Sequence, residues 1–412
     1  MRLREFGLLY PEGGDPNLIL QDGINALRFV HEEIHKFGGD KSRVTIMGQS
    51  AGATQVNWIM CSPLAKHLWH QAYLMSPSNH YASSTAQARE MANEVIRSNS
   101  ALARAVAASE KARGSDHSKI KALRDVHASD FMGSPYPFYV YPLCTPGRRT
   151  GVPFQDFLGW PDDASSLSPS NNLVLNWRTC IKGYSLWPIC TLVAGPDVKM
   201  MPREPLDMLQ QGVAQGKNIL IGGCSFELPW GDLGFRASRE RLVRNLVWEF
   251  FGCPARVSVE RLKVVADALV SIYEEQYQSM DWSMLYCRII SDISYVCRAE
   301  HITRVLSDPS LNQSVYRYVV NGHHSADLPL IMGLDNGHKS GTPKIRHECM
   351  TRVENFVKTG APSFEGGIEW PKVSNADQPF IMSIDGTDGF QCSDSSTKAV
   401  QASTDLCEVL FL

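Results

Sequence analysis

The sequence predicts an α/β protein with a mostly parallel central sheet and helices on both faces. Three observations lead there. Arg43-Val44-Thr45-Ile46-Met47 is a short β-branched run that passes through a glycine turn into Ala51 to Met60, which has no breaker after Gly52. The same order returns at Gln71 to Met75, followed by a helical stretch around Ala86 to Arg97. Two later β-rich runs, Asn218 to Gly222 and Val315 to Val320, are separated by long helical stretches. Strands that alternate with helices read as parallel neighbours, because a crossover must carry the chain back between them.

The elements follow in order. Asn25 to Phe37 reads as an amphipathic helix, with Ala26, Val30, Ile34 and Phe37 at helical spacing and Gly38-Gly39 available for a left-handed stop. The strand at 43–47, the turn Gly48 to Gly52 and the helix at 51–60 come next. Further helices are expected at 238–251, 257–278 and 344–358. From Phe131 to Pro188 the pattern breaks into Pro, Gly, Ser and Asn with scattered aromatics such as Phe138, Tyr139 and Trp160. A loop this long is unusual inside a compact domain. Because the same alternation resumes afterwards, residues 1–412 read as a single domain with an irregular insertion at about 131–183. No internal repeat is visible.

Composition bounds the function. The 412 residues are 43% hydrophobic and 20% charged, enough for a sizeable core. The formal net charge of -3 gives no basic surface for nucleic acid. No apolar run approaches the roughly 18 residues of a membrane span. The stretch Met1 to Tyr10 is closed by Pro11 and Gly13-Gly14 and does not read as a secretory signal. Eleven cysteines cannot all pair within the chain, and none has a metal-like spacing, so no metal or cofactor is expected.

The chemistry centres on Gly48-Gln49-Ser50-Ala51-Gly52. A G-x-S-x-G pentapeptide is weak alone, but here a β-branched strand enters it and a helix leaves it. Such an elbow raises Ser50 Oγ at the end of the sheet and aims the Ala51 N–H at the same point, where it can meet an oxyanion. A Cβ at Gly48 or Gly52 is expected to clash with the neighbouring strand and helix. A serine needs a base, and the base needs an acid to orient it. With chain order Ser, acid, His, the candidates are Glu227, after the strand ending at Gly222, and His324, after the strand ending at Val320. His323 competes as the base.

These segments resemble the carboxylesterase/cholinesterase family. Phe37-Gly38-Gly39-Asp40, followed by Val44-Thr45-Ile46-Met47-Gly48-Gln49-Ser50-Ala51-Gly52, is similar to its nucleophile region. Ile219-Leu220-Ile221-Gly222 with Glu227 five residues on is similar to its acid loop. His324-Ser325-Ala326-Asp327-Leu328-Pro329 with Gly333 resembles its histidine loop, and Phe356 to Gly360 with Trp370-Pro371 its late helix and turn. The resemblance covers most of 1–130 and 184–412. It implies an α/β-hydrolase fold and a carboxylic ester hydrolase acting on a small-molecule ester through an acyl-enzyme. It assigns Ser50 as nucleophile, Glu227 as acid and His324 as base. Gln49, Ser76 and Asp327 fall in a polar shell around them, and Tyr81 lies near an acyl-pocket aromatic. Gln49 stands where a Glu is commoner.

The resemblance also implies a disulfide between Cys297, at the end of a helical segment 291–297, and Cys407 in a C-terminal helix, and with it an oxidising, secretory setting. The family's oxyanion loop, a Gly-Gly pair after an earlier strand, lies further upstream than this chain reaches. The front strands are therefore expected to be missing, and residues 1–412 alone to hydrolyse esters poorly. The alternative reading is a non-catalytic binding or adhesion relative that keeps the fold.

Overall fold

A computed structural model describes residues 2, 5–78, 82–111, 119–132, 192–228, 238–249, 259–334, 341–373, 381–385, 389–393 and 407. The insertion expected at 131–183 lies outside them beyond residue 132, as does Tyr81. The chain forms two compact units. One comprises Met1–Ile19, Ala82–Ala194 and Trp230–Tyr286, the other Leu20–Tyr81, Gly195–Pro229 and Cys287–Leu412.

The second unit is built on a six-stranded sheet. In spatial and chain order its strands are β1 (Thr45–Gln49), β2 (Gln71–Met75), β3 (Asn218–Cys224), β4 (Ser314–Val320), β5 (Ile381–Asp385) and β6 (Gly389–Ser393). The first five are parallel and β6 closes the sheet antiparallel to β5. Every residue of β2 is buried, as expected of a parallel strand covered on both faces. Tyr73 and Met75 of β2, Leu220 of β3 and Tyr316, Tyr318 and Val320 of β4 pack with Ile345 and Phe356 of the helix Pro343–Thr359 and with Trp370. The sequence fixes that helix at both ends. Thr342 accepts from the Ile345 N–H, Pro343 opens the first turn, and Gly360 at φ 81° stops it.

The helix expected at 25–37 spans Leu18–Glu33, with a 3-10 turn at Ile34–Phe37. Its buried face is also different. Ile19, Leu20, Ile24 and Leu27 are buried, whereas Ala26 is exposed and Phe37 is 74% exposed. The Ala26-Val30-Ile34-Phe37 stripe lies beside the one that faces the core, and Gly38 at φ 78° supplies the left-handed stop. The helix Ala51–Cys61 follows β1 directly, with Ala53, Val56, Ile59 and Met60 buried. A helical run extends from Trp282 to Leu306 and contains the helical segment 291–297 that the family resemblance implied. It consists of α-helix Trp282–Ser291, a π turn Asp292–Val296 and α-helix Cys297–Leu306. Cys297 is disulfide-bonded to Cys407. Among the described residues, Cys61, Cys224 and Cys349 are buried free thiols, Cys287 is buried as well, and no helix is long and apolar enough to cross a membrane.

In the first unit, the helix Thr85–Ser98 is opened by a capping box in which Ser84 and Gln87 satisfy each other's backbone donors. It packs Ala92, Val95 and Ile96 with Leu102 and Val106 of Ser100–Lys111. The side chain of Asn17 donates to Val193 O at 2.8 Å and accepts from Val193 N–H at 2.7 Å. Val193–Ala194 pairs in parallel with Ser83–Ser84. The helices expected at 238–251 and 257–278 appear as Arg239–Glu249 and Val259–Gln276, joined by Arg239 to Glu274 at 2.8 Å.

Candidate active site

β1 to β4 are parallel neighbours, so their C-terminal ends share one edge of the sheet. Each delivers one polar side chain just beyond its end: Ser50, Ser76, Glu227 and His324. The carboxyl edge of a parallel sheet is where open α/β folds bind ligands.

Ser50 sits in the elbow between β1 and the helix Ala51–Cys61. Its φ of 56° and ψ of -121° are sparsely populated for a residue with a Cβ and store about 1–3 kcal/mol. Backbone bonds hold it there: Ser50 N–H donates to Met75 O at 2.8 Å, and Thr54 N–H to Ser50 O at 3.0 Å. A Cβ on Gly48 would come within 2.4 Å of the Gly52 carbonyl, so only glycine fits. The clash expected at Gly52 is not found, since a Cβ there would meet nothing within 4 Å. The close approach is made by Gly48 onto the Gly52 backbone, and that backbone is present whatever side chain residue 52 carries. Ala51 opens the helix, so its N–H has no intrahelical acceptor and remains available to an anion.

Glu227 is 1% exposed. Its Oε1 accepts from Ser76 Oγ at 2.6 Å and from the Cys224 N–H at 2.8 Å, while Oε2 lies 2.5 Å from His324 Nδ1. The His324 N–H donates to the Glu227 carbonyl at 3.0 Å, which pins the base loop to the acid loop. Gly223 makes the room: a Cβ there would lie 2.6 Å from Glu227 Oε1 and 3.0 Å from Ser76 Oγ. A carboxylate only accepts, so Nδ1 carries the imidazole proton and Nε2 presents a lone pair. His323 is exposed, whereas His324 is half-buried against Glu227.

At Nε2 the neighbour is the Gln49 carboxamide nitrogen, 3.3 Å away. Among the described residues, the Ser50 hydroxyl makes no hydrogen bond. No Ser50–His324 hydrogen bond is formed among the described residues, and the Gln49 amide is the group at Nε2. Asp327 is fully buried and accepts from Tyr318 Oη at 2.7 Å. Burial raises its carboxyl to about 6, partly offset by the Tyr318 hydrogen bond, with the Glu227 charge adding to the rise. Gly222 and Gly223 are the signal that sequence reading passed over. The first lets the Tyr318 ring cross β3 toward Asp327, and the second admits the carboxylate. Among the described residues no cluster of His, Cys, Asp or Glu could hold a metal ion.

A parallel α/β sheet that presents a serine elbow, a buried acid and a histidine at neighbouring strand ends is the frame of an α/β-hydrolase. The chain belongs to the carboxylesterase family, whose profile matches residues 6–401. Para-nitrobenzyl esterase of Bacillus subtilis (strain 168) is 23% identical over 398 residues, covering 90% of this chain and 65% of that protein. Juvenile hormone esterase of Tribolium castaneum is 47% identical over 77 residues, covering 18% of this chain and 13% of that protein. A solved PNB esterase structure matches with a TM-score of 0.64 at 20% identity, covering 98% of this chain and 73% of that one, which shows the fold. The matched parts of the chain thus span between 13% and 65% of these two curated relatives.

Proposed function

We propose that the chain, as a single hydrolase domain over residues 1–412, is a carboxylic ester hydrolase acting through an acyl-enzyme on Ser50. The observation that carries this reading is the hydrogen-bonded Glu227–His324 pair beyond the ends of β3 and β4, on the same sheet edge as the strained serine elbow after β1. Ser50 Oγ attacks the ester carbonyl carbon as its proton passes to His324 Nε2. The Ala51 N–H stabilises the oxyanion, and the leaving alkoxide takes the proton from the imidazole. Water, deprotonated by the same nitrogen, then releases the acid and restores Ser50. Glu227 holds the tautomer and stabilises the imidazolium, and Ser76 holds Glu227. The family and the names of the relatives support a small-molecule ester as substrate, and no cofactor is needed. The Cys297–Cys407 bond favours an oxidising compartment.

Intact-mass analysis after treatment with a fluorophosphonate tests the assignment. The parent should gain one phosphonyl group, and Ser50→Ala should gain none. A label retained in Ser50→Ala would remove Ser50 from the mechanism. A parent that takes no label would favour a non-catalytic binding relative.

A further inference from the structure

The helical run Trp282–Leu306 contains one π turn, Asp292–Val296, closed by the Cys297 N–H donating to Asp292 O. π turns are rare and are frequently found at functional sites. This one lies against the acid and base loops. Side chains at positions i, i+3 and i+7 of the run reach them in turn. Arg288 Nη1 donates to Ser225 O at 2.6 Å. Ser291 Oγ accepts from the Leu228 N–H at 2.8 Å while donating to Cys287 O at 2.7 Å. Tyr295, only 1% exposed, sets its ring 4.8 Å from the His324 imidazole, centroid to centroid, at a 49° tilt. One stripe therefore braces both sides of Glu227 and the imidazole that Glu227 holds.

We propose that Tyr295 is a positioning residue for His324, fixing the imidazole and stabilising it once it has taken the Ser50 proton. The proposal rests on the reading of His324 as the base. Among the described residues, the groups around the imidazole are the Glu227 carboxylate at Nδ1, the Gln49 carboxamide at Nε2, the Asp327 carboxyl in the same loop and the Tyr295 ring. Glu227 neutralises the imidazolium from one edge. The aromatic ring lies within the roughly 6 Å at which a cation is drawn to the ring quadrupole. An aliphatic side chain of similar bulk would fill the space without that attraction. The π turn brings Tyr295 onto the ring while Arg288 and Ser291 keep their hold on the acid loop.

The test uses the full chain as parent, Tyr295→Phe, Tyr295→Leu, and position 295 carrying trifluorophenylalanine. The last keeps the shape of phenylalanine and withdraws the quadrupole, so it remains informative if the leucine variant folds poorly. Two readouts are followed against pH: the downfield proton resonance of His324 Nδ1–H, assigned with His324→Gln, and the rate of phosphonylation. Tyr295→Phe should match the parent within about twofold. Trifluorophenylalanine and leucine should lower the rate about 3- to 30-fold, and the imidazolium should give way to the neutral ring about 0.5 to 1.5 pH units lower. Profiles unchanged from phenylalanine to trifluorophenylalanine would overturn the proposal, as would a leucine variant that loses only thermal stability. If the parent takes no phosphonate, the hydrolase reading falls, and the resonance series still decides whether the ring supports the imidazolium.

Discussion

At Asp327, burial works against ionisation. Its carboxyl is raised to about 6 in the folded chain from an ordinary value of 3.8. Below about pH 4 both folded and unfolded chains hold the proton, and the site carries no penalty. As pH rises through 4 to 6, the unfolded chain ionises first, so the native state loses stability, in total about 3 kcal/mol. Asp327→Asn keeps an acceptor for Tyr318 Oη and removes the charge. Urea unfolding should therefore show the variant more stable than the parent by up to about 3 kcal/mol at pH 8, and little different at pH 4. An equal gain at both pH values would mean that Asp327 is not the titrating group. Local context marked Ser50, chain order made Glu227 and His324 candidates, and only the family resemblance singled those two out; the geometry brings all three residues to one edge. Sequence could not show the Gln49 amide on Nε2 or the ring of Tyr295, because both depend on tertiary packing, of the elbow in one case and of a helical run in the other, against the histidine loop.

Among the elements, those with local signals were read best. The strand–turn–helix at β1 and the helix Pro343–Thr359 each carry their own punctuation: a β-branched run into a glycine turn, and a Thr-Pro start with a Gly stop. Within the run Trp282–Leu306 only the segment 291–297 was legible, through the family resemblance, because the run mixes apolar, polar and β-branched residues turn by turn. Ser291, Asp292 and Arg298 are buried there alongside Ile293 and Tyr295, so no clean stripe shows. The short strands β5 and β6 are defined by their neighbours rather than by their own five residues each. Cys297 begins the α-helix after the π turn and ties it to Cys407 across a separation of 110 residues. Opening so long a loop removes about 4–5 kcal/mol of stability in the chain-entropy model. Cys297→Ala should lower the unfolding free energy by that order in denaturant melts. A loss under about 1 kcal/mol would indicate that packing, rather than the crosslink, holds the C-terminus.

For the molecule as a whole, each compact unit is assembled from three separated stretches of chain. In the sheet-bearing unit these are Leu20–Tyr81, Gly195–Pro229 and Cys287–Leu412. The four residues that meet at the sheet edge run from Ser50 to His324, and every pairing between β1, β2, β3 and β4 is parallel. None can be made by a hairpin, so loop-closure entropy must be met before any of them is rewarded. The helices need no such closure and form on far shorter timescales. In disulfide-intact refolding, far-UV ellipticity should therefore return before competence for phosphonate labelling. Simultaneous recovery of both signals would argue against this order. Under the proposed mechanism, the shared edge of four parallel strands makes the nucleophile a clock for the chain: Ser50 gains its reactivity only when topology is complete, and an early, partly folded population would carry its helices without its chemistry.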